Sequence, residues 1–172
     1  MLALGDSLTY GTGATQDTSY PSMLALATGW RVVNAGVPGE TAAQGCLRLP
    51  ALLDEHAPQL VLVLLGGNDF LRRLPEEGVK SALSACVEVA RAKRIAIALI
   101  PVPRFGTTGL VNSTLYSDAG KAWDVPVVDA ALATLLGQPA MRADRVHLNA
   151  DGYRSMALTI AESLRLQGWL AR

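Results

Sequence analysis

A chain of 172 residues is long enough for one domain that buries about two thirds of its unfolded surface, and too short to require a second. Its 15 basic and 15 acidic residues cancel and are scattered, apart from short clusters such as Arg72-Arg73 and Arg91-Ala92-Lys93-Arg94, which argues against a nucleic-acid partner. Half of the residues are hydrophobic, yet every apolar run stops short of the roughly 18 residues that a membrane span requires, so a soluble protein is expected.

Residues 1–4 are a short apolar run that reads as a buried strand. The run breaks at Gly5-Asp6, so Ser7 falls in the turn that leaves the strand's carboxyl end. Taken alone, an Asp-Ser pair there is more often a helix cap than a nucleophile. Residues 18–28 read as a helix with Pro21 in its first turn, an apolar face of Met23, Leu24, Leu26 and Ala27, and Gly29 as its end. A second short strand, 32–34, runs into the turn-rich segment 35–39. The helix expected over 40–56 carries Leu47, Leu49, Leu52 and Leu53 inward, and Pro50 should kink or split it.

Residues 60–65 are apolar on both faces, the pattern of a central parallel strand, and they end at Gly66-Gly67-Asn68-Asp69. A helix over 75–93 has Val79, Leu83, Val87 and Ala90 at helical spacing. Residues 95–100 are a fourth strand, 101–109 a Pro/Gly/Thr-rich loop, 112–123 a helix, and 125–129 a fifth strand. An irregular stretch, 130–146, precedes a last helix that opens after Asn149 and turns Met156, Ala157, Ile160 and Leu164 to the core. Cys46 and Cys86 both lie in apolar helical patterns and read first as small core residues; nothing in the sequence supports a disulfide between them. No basic-then-apolar leader precedes the first strand, so the chain as it stands is expected in the cytoplasm, and in the periplasm or outside the cell if a leader was removed.

Strands alternating with helices of this length imply right-handed crossovers and a parallel sheet covered on both faces. The expected fold is a single α/β domain over residues 1–172, a three-layer α/β/α arrangement around five parallel strands. Every strand-to-helix loop of such a sheet emerges on one edge, where the unusual residues are concentrated. Ser7 follows the first strand, Gly36 the second and Asn68 the third. The backbone N–H groups of Ser7 and Gly36 and the side-chain amide of Asn68 are candidate donors to an oxyanion. Asp144-Arg145-Val146-His147 places an aspartate where it can bind one nitrogen of the histidine and leave the other to take a serine proton. His56, near the end of a helix, is read as a structural residue that offsets the helix dipole.

Each block by itself is also a turn or a cap. Together, Gly5-Asp6-Ser7-Leu8, the glycine of Asn34-Ala35-Gly36, Gly67-Asn68-Asp69 and Asp144-x-x-His147 resemble the four signature blocks of the SGNH, or GDSL, hydrolases. Residues 44–53 and 61–69 are similar to the bacterial thioesterase/lysophospholipase/arylesterase branch. The resemblance implies a flavodoxin-like sheet of order 2-1-3-4-5. It also implies a serine esterase that forms an acyl-enzyme, with Ser7 as nucleophile, His147 as base, Asp144 as its orienter, and Ser7, Gly36 and Asn68 as the oxyanion hole. Small-molecule esters, thioesters or lysophospholipids are the partners it implies.

Phe70, Leu71 and Leu74 beside Asn68, with Val102 and Pro103 after the fourth strand, suggest an apolar rim suited to acyl or aryl groups; they could equally be core. A carbohydrate O-deacetylase is the alternative within the family. A rival of another class is a flavodoxin-like flavin or phosphate binder using Ser7, Thr9, Thr12 and Thr15, which leaves Asn68 and the Asp144/His147 pair without a task. The chain has no Gly-x-Ser-x-Gly, His-Glu-x-x-His, Cys-x-x-Cys or Walker sequence, so no metal or cofactor is implied.

Overall fold

The computed structural model describes residues 1–106 and 109–170. Four short apolar segments, β1 (Leu2–Gly5), β2 (Val33–Gly36), β3 (Leu60–Leu64) and β4 (Ala96–Leu99), pair in parallel in the order β2-β1-β3-β4. β1 and β3 are buried along their whole length, as runs apolar on both faces require. The parallel links are helical crossovers, and the larger helices pair up over the sheet. α2 (Tyr20–Thr28) packs on α8 (Ala150–Leu166), and α3 (Ala42–His56) packs on α5 (Glu76–Ala92). Two single-turn helices, α1 (Ser7–Tyr10) and α4 (Gly67–Leu71), begin directly after β1 and β3.

The fifth strand is reduced to a contact. Residues 125–129 meet β4 through one parallel bridge, Leu99 to Val127, with Leu99 N–H donating to Pro126 O (2.9 Å) and Val128 N–H to Leu99 O (2.8 Å). Pro126 has no N–H to extend the ladder, so the sheet proper has four strands. The segment still lies where the order 2-1-3-4-5 puts it. Beyond β4 the segment expected as a loop forms a small antiparallel hairpin instead, β5 (Pro103–Gly106) with β6 (Gly109–Asn112). Residues 107–108 of that expected loop lie outside the described residues. The helix that follows, α6, spans Leu115–Trp123, three residues shorter at its start than the spacing suggests. The irregular stretch contains α7 (Leu132–Gly137) and a 3₁₀ turn at Pro139–Met141.

α3 continues through Pro50 as one helix. Its buried face is Ala42, Cys46, Leu49 and Leu53, at successive spacings of four, three and four, and this face seats it against α5. Leu47 lies off that stripe and is exposed, and Leu26 of α2 is likewise exposed, both contrary to the inward placement read from the sequence. Cys46 and Cys86 are joined in a disulfide that ties α3 to α5, with Cα atoms 5.3 Å apart. Neither cysteine needed a redox motif for this: each sits on the face its helix turns to the other. Among the described residues no helix is long and apolar enough to cross a membrane.

Gly36 closes β2 directly beneath α1. A Cβ built on it would lie 2.1 Å from Tyr10 N and 2.7 Å from Thr9 C, so backbone occupies the space of any side chain. Gly36→Ala is expected to cost about 1–3 kcal/mol or more, the penalty for forcing atoms into a packed interior. Urea unfolding measures it, and a variant as stable as the parent would show that α1 can move away.

Candidate active site

The end of β1 sets the first component. Asp6 caps α1, its Oδ1 accepting the Leu8 N–H at 3.0 Å, and this leaves Ser7 as the first residue of the helix. The Ser7 N–H there has no intrahelical acceptor. The second component comes from the loop before α8, which Asn149 caps by accepting the Gly152 N–H at 3.0 Å. Asp144 turns that loop back on itself. Its Oδ1 accepts from the N–H groups of Val146 (2.8 Å) and His147 (2.9 Å), and its Oδ2 lies 2.7 Å from His147 Nδ1. The other ring nitrogen, Nε2, stands 3.0 Å from Ser7 Oγ. A hydroxyl in contact with an imidazole whose far side is held by a carboxylate can lose its proton to that imidazole as it attacks. Partial burial pushes the Asp144 carboxyl up, but the hydrogen bonds from the His147 ring and the two N–H groups outweigh it and hold its pKa below the ordinary carboxylate value.

Asn68, the second residue of α4, comes to the same edge, and its amide nitrogen is engaged twice. Nδ2 donates to Glu40 O at 2.9 Å and to Asp6 Oδ2 at 3.2 Å, which uses both amide protons. Gly36 does not join the set. Its N–H donates to Asn34 Oδ1 at 3.0 Å and its face is packed against Thr9 and Tyr10, so the expected oxyanion donor is taken by a neighbour two residues away. Gly39, in the same loop, has φ +83° and an N–H with no partner among the described residues. Sequence reasoning missed this glycine, although Val37-Pro38-Gly39 is a turn signal of the kind that supplies a positive φ.

Ser7, Asn68 and His147 line a cleft of about 120 Å³ whose walls are mostly apolar. Phe70, Leu71, Val102 and Pro103 line it as expected, while Leu74 opens instead onto the adjoining groove. Phe105 and Leu110 of the β5–β6 hairpin and Leu136 of α7 complete the wall; Phe105 and Leu136 lie in segments read as loop or irregular chain, and Leu110 falls between the expected loop and the helix after it. His56 ends α3, beside Glu55. Among the described residues no group of three His, Cys, Asp or Glu is placed to hold a metal ion.

Asp6 is 2% exposed at the base of this cleft. Burial pushes its carboxyl up from 3.8 to about 6, opposed by the Leu8 N–H and by the charge of His147, and aided by Asp69. A carboxyl raised in the fold adds stability in its neutral form. That contribution is complete below the unfolded value of 3.8 and is lost as pH rises through about 6. Relative to Asp6→Asn, the parent protein should therefore gain up to about 3 kcal/mol as pH falls from about 7 to about 4, with each pKa unit worth about 1.4 kcal/mol. Denaturant unfolding of both proteins across that range checks it, and a difference independent of pH would show that Asp6 is ionised without penalty.

The chain is similar to known proteins in sequence and in fold. The model of the GDSL-like lipase/acylhydrolase family fits residues 3–155. A thioesterase 1/protease 1/lysophospholipase L1 of Escherichia coli is 32% identical over 174 aligned positions, covering 96% of this chain and 83% of the relative. Esterase TesA of Pseudomonas aeruginosa is 31% identical, covering 86% and 78%. The crystal structure of a protein named TesA superposes with a TM-score of 0.86 at 27% identity, covering 96% of this chain and 97% of that one. With a family model spanning most of its length and relatives of this similarity, the chain belongs to the GDSL-like lipase/acylhydrolase family and is a carboxylic ester hydrolase.

Proposed function

We propose that Ser7 attacks the carbonyl carbon of acyl or aryl esters, acyl thioesters or lysophospholipids, forming an acyl-enzyme that water then cleaves. The observation that carries this reading is the continuous hydrogen-bonded chain from Asp144 through His147 to Ser7 Oγ. As Ser7 Oγ bonds to the carbonyl carbon, its proton passes to His147 Nε2, and Asp144 holds the ring in the tautomer that can accept it. The charge left on the carbonyl oxygen is received by the Ser7 N–H and the Asn68 amide. Gly39 N–H takes the place first expected of Gly36, because it precedes Glu40, whose carbonyl touches Asn68, and has no partner among the described residues. His147 then returns the proton to the leaving alcohol or thiol. In the second half it draws a proton from water, which attacks the acyl carbon, and Ser7 recovers its hydrogen as the acid departs.

The apolar wall of Phe70, Leu71, Val102, Phe105 and Leu136 favours an acyl or aryl group over a sugar. Of the four residues of the flavin reading, Ser7, Thr9, Thr12 and Thr15, two are already engaged elsewhere. Thr9 is fully buried with its Oγ1 3.3 Å from Tyr20 Oη, and Thr15 Oγ1 is engaged with Thr18 Oγ1 at 2.9 Å.

Ser7→Ala should fold normally and lose roughly 10³-fold or more in kcat, and His147→Ala should match it, whereas His56→Ala should keep parental activity. Hydrolysis of nitrophenyl esters of graded chain length measures all three; an active Ser7→Ala enzyme would remove the mechanism. Asn68→Ala should lower kcat by roughly 10²- to 10³-fold with little change in KM, since the contact strengthens in the transition state. Retained kcat with a raised KM would assign Asn68 to ordinary substrate binding.

A further inference from the structure

The two acceptors that hold Asn68 differ in kind. Asp6 is a buried side chain at the base of the cleft, but Glu40 contributes only its backbone carbonyl, and that carbonyl sits in a loop. A loop carbonyl fixes an amide only as firmly as the loop itself is fixed. Here Arg48 fastens the loop, beside two other bonds: Arg72 Nη2 donates to Gly39 O at 2.7 Å and the Glu40 N–H to Val37 O at 3.3 Å. Arg48, two turns into α3, forks onto the Glu40 carboxylate, with Nε 2.9 and 3.0 Å from its two oxygens and Nη2 2.7 Å from Oε2. The same Nη2 donates to Ala35 O at 2.9 Å, so one guanidinium ties the loop residue to the end of β2. Both partners are largely covered, Arg48 with 28% and Glu40 with 15% of its side chain exposed, which screens the pair less than a surface ion pair. From the other side Asp69 Oδ2 accepts the Ala42 N–H at 2.8 Å, and the Thr41–Gln44 capping box starts α3.

We infer that Arg48 and Glu40 are positioning residues for the proposed oxyanion donor: their ion pair holds Glu40 O against Asn68 Nδ2, and this fixes the amide for the developing charge. The inference rests on the reading of Asn68 given above. Because both amide protons are already donated, Asn68 can serve the oxyanion only by sharing one of them. The longer bond, to Asp6 at 3.2 Å, is the one to be shared, while the shorter bond to Glu40 O acts as the pivot. Without the fork, that pivot loses the restraint on its own residue and is left with those on its neighbours, Gly39 and Ala42. A displacement on the order of 1 Å at a reacting centre costs up to about 10²-fold in rate.

A double-mutant cycle tests this in the full-length enzyme with a nitrophenyl ester. Arg48→Gln and Glu40→Gln should each lower kcat by about tenfold, with KM within about twofold of the parent. Arg48→Lys, which can contact the carboxylate but cannot fork onto it and Ala35 O together, should fall between. It also supplies a folded variant that keeps the charge should either glutamine substitution unfold the chain. The deciding measurement is made in the Asn68→Ala background, where Arg48→Gln should cost almost nothing more, because the group it positions is gone. If the tenfold loss persists in full there, Arg48 acts on stability or on another part of the site and the inference is wrong. An Asn68→Ala enzyme with undiminished kcat would overturn the oxyanion reading and this inference with it. Loss with Asn68→Ala but full additivity would overturn the inference alone.

Discussion

The contact on which the site depends is the 3.0 Å approach of His147 Nε2 to Ser7 Oγ, because it joins two residues 140 positions apart. No local element can make it. Ser7 is placed by the passage from β1 into α1, and His147 by the docking of α8 onto α2. That docking buries Tyr153, Met156, Ile160 and Leu164, and Tyr153 Oη also donates to Thr12 O at 2.8 Å. The segment after β1 and the last helix are thus pinned next to the Ser7 hydroxyl by packing as well as by a hydrogen bond. Closing so long a loop costs little more than closing a short one, since the entropy grows only with the logarithm of length. The apolar face of α8 offsets it.

Behind the serine lies a polar layer that an apolar sheet would ordinarily exclude. Asp6, Asn68 and Asp69 are largely covered, with Glu40 and Arg48 at its margin. Such groups are tolerable only when each finds a partner, and among the described residues no buried side-chain nitrogen or oxygen lacks one. The layer therefore has little freedom to rearrange. Changing one member leaves another unpaired in a region of low dielectric, which makes the donors of the site rigid before any substrate arrives.

The wall of the cleft is built differently. It comes from α4, the β5–β6 hairpin and α7, short elements outside the four-stranded sheet, and several of its side chains stand open to water, among them Phe105 and Leu71. On the proposed reading, chemistry is seated on the rigid sheet edge and substrate contact on peripheral segments, a division that lets the wall vary while the reacting groups keep their geometry.

The alternation of β1, β2, β3 and β4 with amphipathic helices was legible in the sequence, because burial on both faces and helical periodicity are local patterns. Ser7, Asn68, Asp144 and His147 were legible for a related reason: each stands at the end of a strand or before a helix, in a turn whose residues name themselves. The role of Gly36 was not. Its N–H is captured by Asn34, and only the close seat of α1 on β2 shows that the glycine is there to let backbone meet backbone. Pro126 truncates the fifth strand and Pro50 leaves α3 whole. The same residue thus gives opposite outcomes, set by whether neighbouring packing can replace a missing hydrogen bond. The Cys46–Cys86 link, the hairpin wall and the chain from Arg48 through Glu40 to Asn68 were likewise decided in three dimensions. Each depends on which faces of separate elements meet, and no periodicity along one chain segment records the position of another.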